Sequence, residues 1–246
     1  MRPNSSVPCA WRLSCARRSS SNTILLQALT VLHRSDCLGL PLVTSEPERI
    51  KDRRMFLFEE PSEKAIHRFI SSQNDLPFSY EEVGASREGA PPKGYTVDRY
   101  HVKLGEGSEV YERAKEALRT WRQFNLGWVQ LFPPDAPIEV GTTVGVLVRH
   151  YGFWSLNTAR VVYLIEESGE VERFGFGYGT LPGHSERGEE RFLVEWCRED
   201  DLVHYDVFAF SRPKHLLAWL GYPFARVLQR RFARDSKRAM GESVNF

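Results

Sequence analysis

Cysteine is scarce in this chain, with 4 among 246 residues, and no two of them stand as a CxxC pair. That excludes the common thiolate zinc motifs. Cys9, Cys15 and Cys37 fall in the first 54 residues. Cys197 is alone in the body, where it reads as a small buried hydrophobe in a reduced, intracellular protein. Long apolar runs are missing too: none approaches the roughly 18 residues that a membrane-spanning helix needs. Charge of one sign is also lacking. Lys and Arg total 33 against 32 Asp and Glu, a net charge of +1, so overall charge selects neither nucleic acid nor an acidic partner. There is no HExxH, no paired-His or carboxylate-triplet spacing and no Gly-x-Ser-x-Gly elbow, so the expectation is no metal and no cofactor.

What is present is unevenly spread. Residues 1–54 hold 9 basic and 4 acidic residues, and the remainder 24 and 28. The serine-rich opening has five arginines and no acid before Asp36, a composition that fits an organelle transit peptide. It fits equally a disordered leader, or a mistaken start upstream of Met55. The expected organisation is a 1–54 extension followed by a single α+β domain over 55–246. The expected location is cytoplasmic, or an organelle addressed by residues 1–54 if the source is eukaryotic.

In the body, Ala65, Ile66, Phe69 and Ile70 have helical spacing after Pro61. Phe78 to Pro92 reads as a loop. Gly94 to Leu104 alternates as a strand, and Ser108 is placed to cap a helix whose apolar face is Val110, Ala114, Ala117, Leu118 and Trp121. From Trp128 to Ser211 the period changes from 3.6 to 2, with short links that make an antiparallel meander. The chain closes on a long amphipathic helix, kinked at Pro223 or starting there. Strand, helix, five or six antiparallel strands and a last helix make a helix-grip, START-like fold, in which a sheet wraps the C-terminal helix around an apolar cavity.

GFGYG, Gly175 to Gly179, looks like a phosphate-binding loop. Such a loop needs a helix N-terminus after it, and TLPG followed by another strand offers none. The alternation instead gives a strand with Phe174, Phe176 and Tyr178 on one face and bare backbone on the other. A bare face marks a bend or a close approach, here by the C-terminal helix or by a ligand.

His184, Glu186, Arg187, Glu189, Glu190 and Arg191 crowd the turn that follows. They are either a solvated hairpin rim or a polar mouth over the cavity, with His184 and Glu189 or Glu190 as acid and base. Arg160 and His204 lie in strands, where an inward charge must be paired or hold a ligand. Asp206 shares a strand face with His204. Arg226, Arg230 and Arg234 line one side of the last helix, either as its solvated face or as a contact for an anionic membrane surface.

The blocks FGFGYGTLPGHSERGEERFLVEW and HYDVFAFSRPKHLLAWLGYPFARVLQRRFARDS, with GYTVDRYHVKLGEG and YERAKEALRTWRQF, together resemble the family called domain of unknown function 1990 over about Phe56 to Met240. The resemblance implies no activity, cofactor or catalytic residue. Three readings stay open. One is a module binding a small, largely apolar ligand, with walls from Trp154, Phe174, Phe176, Tyr178 and Trp196 and polar contacts from Arg160, His184, His204 and the glutamates. Another is a cyclase-, dehydratase- or hydrolase-type enzyme using His184, Glu189 and Glu190. The third is a scaffold using the basic helix. No specific nucleic acid is expected as a partner.

Overall fold

A computed structural model of the protein describes residues 56–214 and 222–245. The 1–54 extension and the start at Met55 lie outside the described residues. The elements are β1 (Phe56–Leu57), α1 (Glu63–Ser71), β2 (Thr96–Glu106), α2 (Ser108–Arg119) and a 3-10 turn (Arg122–Phe124). Then come β3 (Val129–Phe132), β4 (Thr143–Arg149), β5 (Trp154–Glu167), β6 (Val171–Thr180), β7 (Glu186–Cys197), β8 (Leu202–Pro213) and α3 (Tyr222–Val244). The sheet runs β2-β8-β7-β6-β5-β4-β3 with every neighbouring pair antiparallel, and β1 pairs with β5. Six consecutive strands thus lie between α2 and α3, as a helix-grip fold requires. Pro223 falls in the first turn of α3, where its missing N–H costs nothing.

One face of the sheet is covered by α2 and α3. Tyr111, Ala114, Ala117 and Leu118 of α2 are buried there, at helical spacing. They meet Phe174 and Phe176 of β6, Phe192 and Val194 of β7 and Tyr205 and Val207 of β8 in one core. Each large side chain so buried contributes roughly 1.5–3 kcal/mol. Gly107, not Ser108, is the N-cap of α2, with φ 89° and no side-chain capping bond. A positive φ there favours glycine, so Ser108 moves into the first turn. Trp121 continues the apolar stripe beyond the helix end, in the left-handed region at φ 54°, and its indole donates to the Ala136 carbonyl at 2.8 Å.

The outer face carries α1 and the loop over 72–95. Ser62 caps α1 by accepting from the Ala65 N–H, and Ile66 and Ile70 pack on Leu147 and Leu156. A register shift between Val161 and Tyr163 inserts one residue in β5. Such a bulge reverses which face the following side chains take. Ala159 and Val161 therefore belong to the inner core, while Tyr163 and Ile165 pack outside with Leu193.

The bare face of β6 is also an outer-face matter. A Cβ on Gly177 would stand 2.4 Å from the Tyr163 ring, and one on Gly179 would stand 2.1 Å from the Tyr80 hydroxyl. The close approach is made by these two tyrosines, not by the C-terminal helix. Cys197 is buried.

Candidate functional site

The inner face is filled unevenly. Under α2 its residues are large. Toward the other end the inward positions are small or short and polar: Ser155, Asn157 and Ala159 on β5, Gly188 on β7, Ala209 and Ser211 on β8. Leu228 and Phe232 of α3 span the gap without filling it. The result is a cavity of about 230 Å³, below the roughly 300 Å³ where drug-sized pockets begin. It suits a smaller occupant.

The register places four residues in one inward row: Tyr178, Glu190, Ala209 and Asp98, on β6, β7, β8 and β2. With strands spaced at roughly 4.8 Å, Glu190 and Asp98 flank a gap floored only by the Ala209 methyl. Tyr178 donates to Glu190 at 2.8 Å. Arg226 reaches down from α3 and grips Asp98 with both terminal nitrogens, one bond being 2.6 Å. Gln229, one turn on, donates to Glu186 at 2.7 Å and accepts from Arg226 at 2.6 Å.

Burial pushes the Glu190 carboxyl up to about 7; the Tyr178 hydrogen bond opposes the shift, and the charges of Asp98 and Glu186 add to it. Glu186 is raised as well, again by burial. His184 moves the other way, down to about 4, because burial disfavours its cation and Lys214 repels it. The Glu186 N–H donates to His184 Nδ1 at 3.0 Å. The neutral ring must then carry its proton on Nε2. His184 lines the same cavity as Glu190. Together they offer a carboxyl that titrates near neutrality and a neutral imidazole donor. The apolar wall is Trp128, Val146, Val148, Phe124 and Phe232. Trp128 is fixed by donating to Asp235 at 3.1 Å, with the Arg231 guanidinium 4.3 Å over its ring.

The structure brings together His184, Glu190 and Tyr178, and it places the other expected site residues elsewhere. Glu189 points to the outer face. Its carboxylate accepts from the Tyr80 hydroxyl (2.6 Å), Gly84 N–H (2.7 Å), Ser86 N–H (2.8 Å) and Ser86 Oγ (2.5 Å). Four donors fill its lone-pair directions, so it anchors the loop and has none to offer a substrate. Arg160 is outside too, donating to the carbonyls of Gln73 and Asn74 at the end of α1 (2.9 and 2.5 Å). Trp154 packs beside Leu147 and Leu156 on that face. His204 stacks on His101 at 4.5 Å. Its neighbour Asp206 is committed to Arg191 (2.7 Å) and His101 (3.7 Å). Phe174 and Phe176 face inward but are packed under α2, Phe176 against Trp121 at 4.9 Å. Trp196 packs near Tyr111 and donates to Asp201 at 2.9 Å, away from the cavity.

Glu186 was expected only as part of the polar crowd in the turn, and Asp98, Tyr100, Gln229 and Trp128 were not expected at the site. Asp98 and Tyr100 stand on an inward strand phase that only the register reveals, and Gln229 and Trp128 are brought there by the packing of α3 on the sheet. Of the basic face of α3, Arg226 is turned onto Asp98 and Arg234 pairs with Asp235 at 3.1 Å. Among the described residues no group of His, Cys, Asp and Glu could hold a metal ion. No described helix is long and apolar enough to cross a membrane.

Comparison with known proteins places the chain among relatives that carry no assigned activity. It is 37% identical over 208 residues to a UPF0548 protein of Dictyostelium discoideum, covering 77% of this chain and 96% of that one. It is 39% identical over 197 residues to a UPF0548 protein of Deinococcus radiodurans, covering 76% and 97%. Among solved structures it is similar to Ara h 8.0201, at 12% identity and a TM-score of 0.39, covering 61% of this chain and 98% of that one. Human STARD10 aligns at 9% identity with a TM-score of 0.37, covering 74% and 80%. The model of the family described as Domain of unknown function (DUF1990) matches residues 79–239, and the chain belongs to that family.

Proposed function

We propose that the protein binds a small, largely apolar molecule in the cavity between the sheet and α3. The observation that carries this reading is the coincidence of space and chemistry. About 230 Å³ is left open where an aromatic and aliphatic wall faces a few convergent polar groups: Glu190, Tyr178, Glu186 and His184. Interiors are normally packed to near-crystalline density. A cavity bordered by the small side chains of Ala159 and Ala209 supports an occupant.

The test is native mass spectrometry of the full chain, with Ala209→Leu as the filled-cavity control. The expected result is a retained small molecule on the natural chain and none on the variant. A chain that carries nothing from several expression hosts, and whose melting temperature no small apolar compound raises, would count against the proposal.

A second reading is favoured by one observation. Glu190 titrates near 7, beside a hydroxyl and a neutral imidazole. A carboxyl so placed serves as a general acid or base, and the cyclase, dehydratase or hydrolase readings then rest on Glu190 with His184. Bell-shaped pH dependence of any turnover, lost in Glu190→Gln, is its signature.

A further inference from the structure

The cavity is unbalanced in charge. Four acidic residues line it; Glu189 turns its carboxylate to the outer face, which leaves those of Asp98, Glu186 and Glu190. The guanidinium beside them, Arg226, is committed by two bonds to Asp98 and by a third to Gln229. Among the described residues, Glu190 accepts from the Tyr178 hydroxyl and Glu186 from the Gln229 amide and the Ser211 hydroxyl, all neutral donors, with the Arg226 charge acting on Glu186 from its place on Asp98. His184 adds no charge, since its Nδ1 is an acceptor for the Glu186 N–H. Glu186 and Glu190 are half-buried, and carboxylates drawn from water favour a partner, a proton or a ligand charge. A carboxylate has two oxygens and about four lone-pair sites, so one donor on Glu190 and two on Glu186 leave several of them open. The lining also includes four aromatic rings, Trp128, Tyr178, Phe124 and Phe232, residue types that can attract a cation.

We infer that the occupant carries a cationic head, a small alkyl- or arylammonium, with its nitrogen held by Glu190 and Glu186 beside the Tyr178 ring and its apolar body against Trp128 and Phe232. The inference rests on the proposed binding function and names the chemical class of its ligand. An amine supplies the missing positive charge and several N–H donors at once. A neutral ligand would leave one of the two carboxyls to remain protonated, and an anion would add a fourth negative charge. The upward shifts of Glu186 and Glu190 agree with a site that lacks a cation when empty. A bound ammonium would bring both carboxyls back toward their ordinary range.

The test uses three matched probes on the full chain at about pH 8, where Glu190 is ionised: 2-phenylethylamine, 2-phenylethanol and phenylacetate. Binding is followed by calorimetry and by ligand-detected NMR. The amine should bind at least about tenfold more tightly than the alcohol, and the acid should not bind measurably. Glu190→Gln and Glu186→Gln should each lower amine affinity by about tenfold and leave the alcohol within about twofold. Ala209→Phe should abolish binding of both. If the alcohol binds as well as the amine, or if neither glutamine variant changes the amine-to-alcohol ratio, the cationic head is refuted while the cavity reading stands. If none of the three probes binds, both fall together. The wild-type ratio needs no variant, so a substitution that fails to fold leaves the inference exposed to refutation.

Discussion

Replacing Glu190 by Gln should make the protein more stable at high pH, an unusual outcome for removing a half-buried, hydrogen-bonded carboxyl. The native carboxyl keeps its proton up to about pH 7, while in the unfolded chain it loses it near 4.5. Between those values the folded state binds more protons than the unfolded one, so stability falls as pH rises through the window. The full loss is present above the folded value. Two and a half pH units at 1.36 kcal/mol each give about 3 kcal/mol as an upper figure. Gln cannot ionise, and its carbonyl can still accept from Tyr178. His184 acts in the opposite sense. Its folded value is about 4 against 6.5, so its contribution to stability is lost as pH falls from 6.5 toward 4. Over the shared window the two slopes oppose each other, and the wild-type curve alone is uninformative. The difference between Glu190→Gln and wild type isolates the carboxyl. The groups facing it are Asp98 and Tyr100 on β2, Tyr178 on β6, His184 in the turn, Glu186 on β7, Tyr205 on β8 and Arg226 on α3. All are shared by the two proteins and largely cancel. Urea unfolding followed by tryptophan fluorescence at about pH 5, 6, 7 and 8, with unchanged m-values, measures it. The variant should match wild type near pH 5 and exceed it by about 2–3 kcal/mol at pH 8. A difference that stays constant with pH, or that falls, would refute the burial and charge argument for Glu190.

Contacts on the outer face and along α3 give three further expectations. Gly177→Ala places a methyl 2.4 Å from the Tyr163 ring and should cost about 1–3 kcal/mol in the same urea assay, whereas a ligand pressed on that face would instead show as lost binding. Glu189→Ala strands four donors and should cost about 3 kcal/mol, with early proteolysis or fast hydrogen exchange over residues 78–95 and the cavity's ligand preference unchanged. Arg226→Ala leaves the half-buried Asp98 without its cation and should cost about 1–3 kcal/mol. Arg234→Ala, whose side chain is 72% exposed, should stay within about 0.5 kcal/mol. Equal losses in the two would show that α3 is not latched through Asp98.

The period-2 pattern from Trp128 onward, the apolar stripe of α2 and the amphipathic last helix were enough to read the helix-grip arrangement, because all three follow from which side chains avoid water. The rejection of GFGYG as an anion loop was readable for the same local reason: no helix follows it. The phase of each strand was not readable. Ala159, Val161, Tyr163 and Ile165 look like one face in sequence, yet the bulge after Val161 sends the last two outside. Nothing in the residue types announces the insertion. Glu189 and Glu190 are identical neighbours, and their opposite fates depend on register with Gly179 and Tyr178. The cavity itself was written in what is small: Ala159, Ala209 and Ser211 at inward positions. Small residues give a weak signal until the facing elements are known to leave space above them.

The Glu189 clamp also bears on the order of folding. Its bonds join residues 103 to 109 positions apart in the chain, and they can close only after β6 and β7 have paired and the bulge has aimed Tyr163 outward to meet Ser86 at 2.5 Å. Contacts of such long range form late and carry a large loop-closure entropy. The segment over 78–95 is therefore a cooperative unit of its own, the last to dock and the first to open. The amides of Gly84 and Ser86 should exchange at the free energy of that local opening, well before the sheet behind them gives way.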